Sequence, residues 1–132
     1  MEGAEEVRLS ELKFPAMRRA LIETMTSLSD RDYQQRVWID EKYPQPGFFD
    51  DLTTTVNVFH DLIADDEDVD RYVGAFLVSG EEATAVERVY RALDPMIDDL
   101  ADSPDDRYLS DPRWTDVVTA ATRAKALLNT AR

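Results

Sequence analysis

The side chains best suited to chemistry in this sequence lie within residues 50–61. Asp50 and Asp51 open a segment that ends in His60, the only histidine, and Asp61. An imidazole near carboxylates can act as a general base or as one ligand of a metal ion. One hypothesis is therefore a small metal- or carboxylate-dependent enzyme. It requires all four side chains to converge on one pocket.

Most of the ligands and motifs of known cofactor sites are missing from the chain. It contains no cysteine, whereas zinc and di-iron sites in helical proteins use several Cys, His or Glu-x-x-His ligands. Residues 66–70 open like a calcium loop, but Arg71 replaces the required glycine and Leu77 the required glutamate. The glycine motifs that bind phosphates do not occur either. We predict no catalytic residue, no metal site and no cofactor.

A stretch of large rings and turn residues, 37–51, is the strongest candidate for a binding surface. Its sequence VWIDEKYPQPGFFDD combines four aromatic rings with two prolines and one glycine. If exposed beside acidic neighbours, such rings can anchor a protein partner. If buried, they close one end of the core. The predicted partner-binding residues are Trp38, Tyr43, Phe48, Phe49, Asp50 and Asp51.

Negative charge is concentrated in the middle of the chain. The formal net charge is −13, and residues 43–111 contain 18 acids against four arginines. Such a field repels nucleic acids and anionic membranes, so we expect neither as a partner. It would attract a basic protein, although acidity also serves solubility alone. Self-association through alanines of the last helix (Ala120, Ala121, Ala124 and Ala126) is a further hypothesis.

Length and local composition indicate a cytoplasmic protein. A chain of 132 residues suits one domain with its own core. No window reaches 18 apolar residues, which argues against a transmembrane helix. The first ten residues are acidic and lack the basic and apolar runs of a signal peptide.

Apolar residues recur at spacings of three and four, which predicts an all-α, single-domain bundle of five to six helices with short loops. In this prediction residues 1–10 form a flexible N-terminal segment and residues 11–132 one helical domain. Sequence signals for helix starts follow the known capping preferences. They are Pro15 in a first turn, Ser29, Asp50 or Asp51, Ser79 with Glu82 as a capping box, and Asp111 before Pro112.

Prolines and β-branched residues set the predicted interruptions. The first helix should end near Ser27 and the second before Pro44. Pro95 should kink the helix that Ser79 caps, or break it near Leu93. Residues 102–106 are predicted to be a turn. Residues 53–59 favour helix with strand as the alternative, because three threonines weaken helix propensity. A short helix is expected over 69–77, but Gly74 leaves a strand over 72–78 as the alternative.

Several motifs resemble those of a family of small, uncharacterised, mainly actinobacterial proteins that are acidic and helical. They are the D-Y-Q-x-R-V-W-I stretch, the P-x-P-G-[FY]-[FY]-D-D loop and the D-P-R-W helix start. The resemblance extends from Phe14 to Leu128 and implies no known activity and no catalytic residue. In size and acidity alone, the chain is also similar to immunity proteins that neutralise a basic toxin.

The favoured hypothesis is a non-enzymatic, acidic protein–protein interaction module with an accessory or immunity-like role. It requires an exposed apolar patch near Trp38 to Phe49. The enzyme hypothesis requires the carboxylates and His60 in one pocket instead.

Overall fold

A computed structural model describes residues 6–131. Within that range the chain forms helices and turns and no strand, which confirms the all-α prediction. The helices are α1 (Pro15–Ser29), α2 (Arg31–Tyr33) with its π-helical continuation (Gln34–Ile39), α3 (Leu52–Leu62), α4 (Gly80–Leu100), α5 (Asp105–Leu109) and α6 (Trp114–Thr130). Two 3-10 turns, Leu9–Glu11 and Val69–Tyr72, precede α1 and α4. No helix in the described part of the chain is long and apolar enough to cross a bilayer.

The N-terminal segment is partly covered by the structure. Residues 1–5 of the segment predicted to be flexible lie outside the described residues. The N–H of Val7 donates to the carbonyl of Val78 at 2.7 Å. The chain is therefore hydrogen-bonded to the rest of the fold as early as residue 7.

The core forms where α6 packs against both α1 and α4, with α3 against α1. Their apolar stripes are buried as the spacing predicts, including Leu21, Met25, Val89, Leu93 and Val117. The small side chains of Ala121 and Ala124 are also fully buried on α6. These two alanines therefore face the core of their own chain. Self-association through them would require them to lie on the surface.

A buried ion pair ties the three core helices together. Arg18 of α1 and Glu82 of α4, both less than a tenth exposed, pair through two bonds of 2.9 and 2.7 Å. The same guanidinium donates to the carbonyls of Phe76 at 3.0 Å and Leu128 at 2.9 Å. The N–H of Val78 donates to the Glu82 carboxylate at 2.8 Å. Both charges are thus hydrogen-bonded, as buried charges must be.

A second buried polar contact joins α1 to α6 through Gln34. Its Nε2 donates to the carbonyls of Ser27 at 2.8 Å and Leu28 at 3.0 Å. Its Oε1 accepts the indole N–H of Trp114 at 2.9 Å. Because the last carbonyls of an α-helix have no partner within the helix, this amide satisfies the end of α1. In the described residues no buried side-chain nitrogen or oxygen lacks a partner.

Three of the predicted helix starts are wrong in detail, at Ser29, at the Ser79–Glu82 capping box and at Pro112. Asp30 caps α2, because its carboxylate accepts the N–H of Tyr33 at 3.0 Å. Ser29 is instead the last residue of α1. Ser79 caps α4 as predicted and accepts the N–H of Glu82 at 3.2 Å. Glu82 does not complete the capping box, because its carboxylate turns inward to Arg18.

The segments left open between helix and strand have different outcomes. Residues 53–59 lie within α3, so helix is confirmed and the strand alternative is wrong. Asp51 caps this helix by accepting the N–H of Thr54 at 2.8 Å. Of the short helix expected over 69–77, only the 3-10 turn Val69–Tyr72 forms. Residues 73–77 form a tight turn with one isolated bridge between Val73 and Leu77, so the strand alternative over 72–78 is wrong. Gly74 has φ +93° there, which a right-handed helix excludes.

The C-terminal half departs from the prediction at three places. Of the predicted kink or break at Pro95, the break is wrong: α4 runs from Gly80 to Leu100, with buried residues on both sides of the proline. Residues 105–109 form the short helix α5, where only a turn was expected. α6 begins at Trp114 instead of Pro112, and Asp111 accepts the N–H of Arg113 at 2.9 Å in the turn before it.

Candidate interaction surface

The loop between the π-helical segment and α3 is organised by one carboxylate, Asp50. Its Oδ2 accepts the Tyr33 hydroxyl at 2.7 Å and the Trp38 indole N–H at 2.9 Å. Its Oδ1 accepts the Thr55 hydroxyl at 2.9 Å. Burial and the adjacent Asp50 carboxylate together raise the pKa of Tyr33 well above its usual value. Asp50 therefore fastens the loop to α2 and α3.

Trp38, the first predicted contact residue, lies in the core. Its side chain is 4% exposed and meets Trp114 edge to face at a ring distance of 6.2 Å. A second edge contact joins it to Tyr33 at 6.4 Å. The ring supports the loop from beneath and is almost fully covered by its own chain.

The remaining aromatic rings of the loop form an outward cluster. Tyr43 lies 5.7 Å from Phe49 and 6.3 Å from Phe48, measured between ring centroids. Tyr43 and Phe48 are half-buried, whereas Phe49 is 59% exposed. Gly47 adopts φ +85°, which permits the turn that brings these rings together. One large ring is thus held at the surface on a packed aromatic base.

Two grooves meet at Phe49. The α1–α3 groove, about 570 Å³, runs between those helices and is lined by three carboxylates, Glu23, Asp30 and Asp50. The α5 groove, about 440 Å³, lies between the loop and the start of α5. Its carboxylates are Glu41, Asp51, Asp105 and Asp106. Phe49 lines both grooves, and we call this ring with the two grooves the Phe49 face.

The Phe49 face is electrostatically uncompensated by its own chain. Neither groove is lined by a lysine or arginine. Between residues 6 and 131, no Lys, Arg or His nitrogen lies within 4.0 Å of any of its seven carboxylates. By contrast, the acidic run at 65–70 has arginine partners: Asp65 lies 3.7 Å from Arg71, and Asp66 lies 3.1 Å from Arg91. The two acidic regions of the chain therefore differ in character.

Asp105 shows the electrostatic cost of the α5 groove. Burial raises the pKa of Asp105, and the neighbouring charges of Asp51, Asp106 and Asp50 raise it further. The N–H of Leu52 donates to its Oδ2 at 3.0 Å and partly opposes this shift of the pKa. The folded chain thus binds a proton at this carboxyl more tightly than the unfolded chain does.

We expect Asp105→Asn to raise the midpoint of thermal unfolding at neutral pH. Because the folded-state pKa is raised, the wild type loses stability as pH rises from the unfolded pKa, about 3.9, through the folded value. The amide keeps an oxygen that can accept from Leu52, so the variant avoids this loss. Thermal unfolding of both proteins from pH 4 to pH 7 tests this, and the difference should shrink toward pH 4. Exposed Asp102→Asn is the control, and an equal gain there would contradict the assignment.

The residues of the enzyme hypothesis do not form one site. Asp50 and Asp51 lie at the start of α3 and His60 near its end, about 14 Å apart along the helix axis at 1.5 Å per residue. His60 packs beside the rings of Phe59 and Tyr90, at 6.2 and 5.3 Å. Neither groove of the Phe49 face includes His60. In the described part of the chain no three His, Cys, Asp or Glu side chains are grouped to hold a metal ion.

Sequence reasoning identified the loop but missed four of the seven carboxylates. Glu23 and Asp30 come from α1 and its end, and Asp105 and Asp106 come from α5. No local pattern indicates that such distant residues share a surface. The charge count over residues 43–111 included Asp105 and Asp106 without giving their location, and it did not extend to Glu23 and Asp30.

Comparison with curated proteins gave no match, and comparison with solved structures gave none either. One family does match, and it covers most of the chain, from residue 12 to residue 132. Its description is a domain of unknown function, which agrees with the resemblance to an uncharacterised family. The chain belongs to the DUF7945 family.

Proposed function

We propose that this chain is a cytoplasmic, non-enzymatic interaction module whose Phe49 face binds a basic segment of a protein partner. The observation that carries the proposal is the position of Phe49. This ring is 59% exposed and lies between two grooves that together hold seven carboxylates and no cation. The partner would supply the missing positive charge and cover the ring.

The exposed ring of Phe49 and the surrounding carboxylates act on different parts of the binding process. Burying an exposed phenylalanine ring is worth about 1.5–3 kcal/mol, which is enough for an affinity anchor. The carboxylates steer a cationic partner toward the face and speed association at low salt. Aromatic anchors within a polar rim are a common arrangement at protein interfaces. Affinity should therefore depend on Phe49, and its salt dependence on the acids.

A protein partner fits this face better than a nucleic acid or a membrane. Phosphate backbones and anionic lipids need clustered lysines and arginines, and the grooves have none. Arg31, Lys42 and Arg107, which directly follow carboxylates of the face in sequence, line neither groove. A segment that combines basic and apolar side chains matches both the charge and the exposed ring.

We expect Phe49→Ala to weaken binding of such a segment about tenfold, the effect of losing about 1.4 kcal/mol. The probe is a short labelled peptide of arginine and leucine residues, titrated by fluorescence anisotropy at low salt. Phe14→Ala is the matched control, because Phe14 is 50% exposed and lies outside both grooves. Thermal unfolding of both variants checks that each remains folded.

The outcome of this comparison is unambiguous. Weaker binding by Phe49→Ala and unchanged binding by Phe14→Ala support the Phe49 face. Equal affinity of all three proteins would mean that the peptide binds by charge alone or elsewhere, and the proposal would be wrong.

A further inference from the structure

The α1–α3 groove has the chemistry of a slot for one arginine side chain of the partner, and we infer that it binds one. This inference rests on the proposed function and specifies how half of the Phe49 face would be used. It is drawn from the groove's walls, from the hydrogen bonds of Asp50 and from the charge that these bonds leave uncompensated.

The groove combines apolar and polar walls. Phe48, Phe49 and Val58 supply apolar surface, and Phe49 and Val58 are among the exposed large hydrophobic residues of the chain. Hydroxyl side chains of α1 and α3, such as Thr24 and Thr54, also line the groove. A long side chain with an aliphatic stem and a polar head matches such a mixture, because the stem covers apolar surface while the head finds acceptors.

Asp50 offers an acceptor that the fold does not use. A carboxylate has about four lone-pair sites, and the structure gives Asp50 three donors. Oδ2 accepts two of them and Oδ1 accepts one, from Thr55. One site on Oδ1 is therefore left for a ligand.

The charge of Asp50 also lacks a counterion. Its donors are the hydroxyls of Tyr33 and Thr55 and the indole of Trp38, all of them neutral. The guanidinium of Arg36 lies 6.0 Å from the Tyr33 ring centroid and does not line the groove. A cationic donor adds the attraction of opposite charges to the hydrogen bond, and an arginine can pair with a carboxylate through two parallel bonds. A cationic donor is thus the ligand that Asp50 would favour most.

Arginine suits this groove better than lysine. A guanidinium is planar, stacks on aromatic faces and presents five donors, whereas an ammonium is a compact, strongly hydrated charge. Phe48 and Phe49 offer rings for stacking, and Glu23 and Asp30 offer further carboxylates beside Asp50. Lysine can neutralise the charge, but it cannot also stack on the rings and present several donors in one plane.

The two tryptophans of the chain provide a reporter and an internal control. The Trp38 indole N–H donates to Asp50 Oδ2 at 2.9 Å, so a ligand on this carboxylate alters its environment directly. The Trp114 indole N–H donates to Gln34 Oε1 in the core, and Trp114 is 0% exposed. In an amide proton–nitrogen spectrum, the two indole signals should respond differently to a ligand in the groove.

The test is a titration of uniformly nitrogen-15-labelled protein with three peptides of one sequence. They carry arginine, lysine, or citrulline, which keeps the shape of arginine without its charge. We expect the Trp38 indole signal to move saturably with the arginine peptide, less with lysine and hardly with citrulline, while Trp114 stays still. Glu23→Gln should lower the affinity for the arginine peptide by about twofold to fivefold, the range expected for the loss of an exposed charge pair. Exposed Glu67→Gln, outside the groove, should leave the affinity unchanged.

Failure of the slot and failure of the proposed function give different results. If the arginine peptide binds in a Phe49-dependent way but the Trp38 signal stays still, the slot is wrong and the interaction face stands. Equal responses to lysine or citrulline would also overturn the slot. If no basic peptide binds, both proposals are wrong.

Discussion

Glu82→Ala should lower the free energy of unfolding by about 3–5 kcal/mol, the usual cost of removing one partner of a buried ion pair. The substitution leaves the Arg18 guanidinium buried without the two bonds that it makes to this carboxylate. It also removes the acceptor of the Val78 N–H. Arg18 keeps only the carbonyls of Phe76 and Leu128, which carry no full charge. Because whole domains are stable by about 5–15 kcal/mol, this single change threatens the fold.

Urea unfolding monitored by circular dichroism measures this effect, and the chain supplies its own control. Glu81 lies in the same first turn of α4 but is exposed, so Glu81→Ala should change the free energy of unfolding by less than about 0.5 kcal/mol. The double variant Arg18→Met with Glu82→Leu should be more stable than Glu82→Ala, because it leaves no buried charge. Similar effects of Glu82→Ala and Glu81→Ala would show that the pair is solvated.

Trp38→Ala should cost about 3–5 kcal/mol, as the removal of a fully buried aromatic ring does in other cores. The ring is 4% exposed, and its loss opens a cavity beside Trp114 and Tyr33. Trp38→Phe separates packing from hydrogen bonding, because it keeps a ring but removes the N–H that donates to Asp50. That variant should cost about 1–3 kcal/mol.

The same urea measurement tests the role of Trp38, with Phe49→Ala as the comparison. Phe49 is more than half exposed, so its removal should cost far less stability than removal of Trp38. The pair of variants thus separates the ring that holds the loop from the ring that the loop presents. A loss below about 1 kcal/mol for Trp38→Ala would contradict the burial of this ring.

The parts of the fold that depend on neighbouring residues could be predicted from the sequence. The stripe through Leu52 and Phe59 indicated α3, and Asp51 was recognised as a candidate cap because a carboxylate next to a helix start accepts its N–H groups. Helix class and approximate bounds follow from such patterns. The break at Pro95 was wrong, because packing on both sides of a proline can outweigh its local cost.

The parts that depend on distant contacts could not be predicted. Arg18 and Glu82 are 64 positions apart, and each has an ordinary local explanation as a surface charge or a capping residue. Only the folded chain brings them together. The same holds for the Phe49 face, where α5 is too short to leave a periodic signal and yet contributes Asp105 and Asp106.

The direction of Trp38 shows the limit of composition within one loop. A cluster of four rings in the sequence indicated either a core plug or an exposed patch. The structure divides the cluster, because the π-helical segment points Trp38 inward while Gly47 turns Phe49 outward. Neither alternative was right for the whole loop, because the backbone conformation sets the burial of each ring separately.

The most direct test of the interaction face is a map of backbone amide shifts during titration with the arginine–leucine peptide. The proposal predicts that the largest shifts fall at residues 20–33, 41–58 and 104–106, around Phe49 and its two grooves. The competing location is the acidic run at residues 65–70, which also carries negative charge but already has arginine partners. Shifts concentrated in that run, with residues 41–58 unmoved, would contradict the central claim.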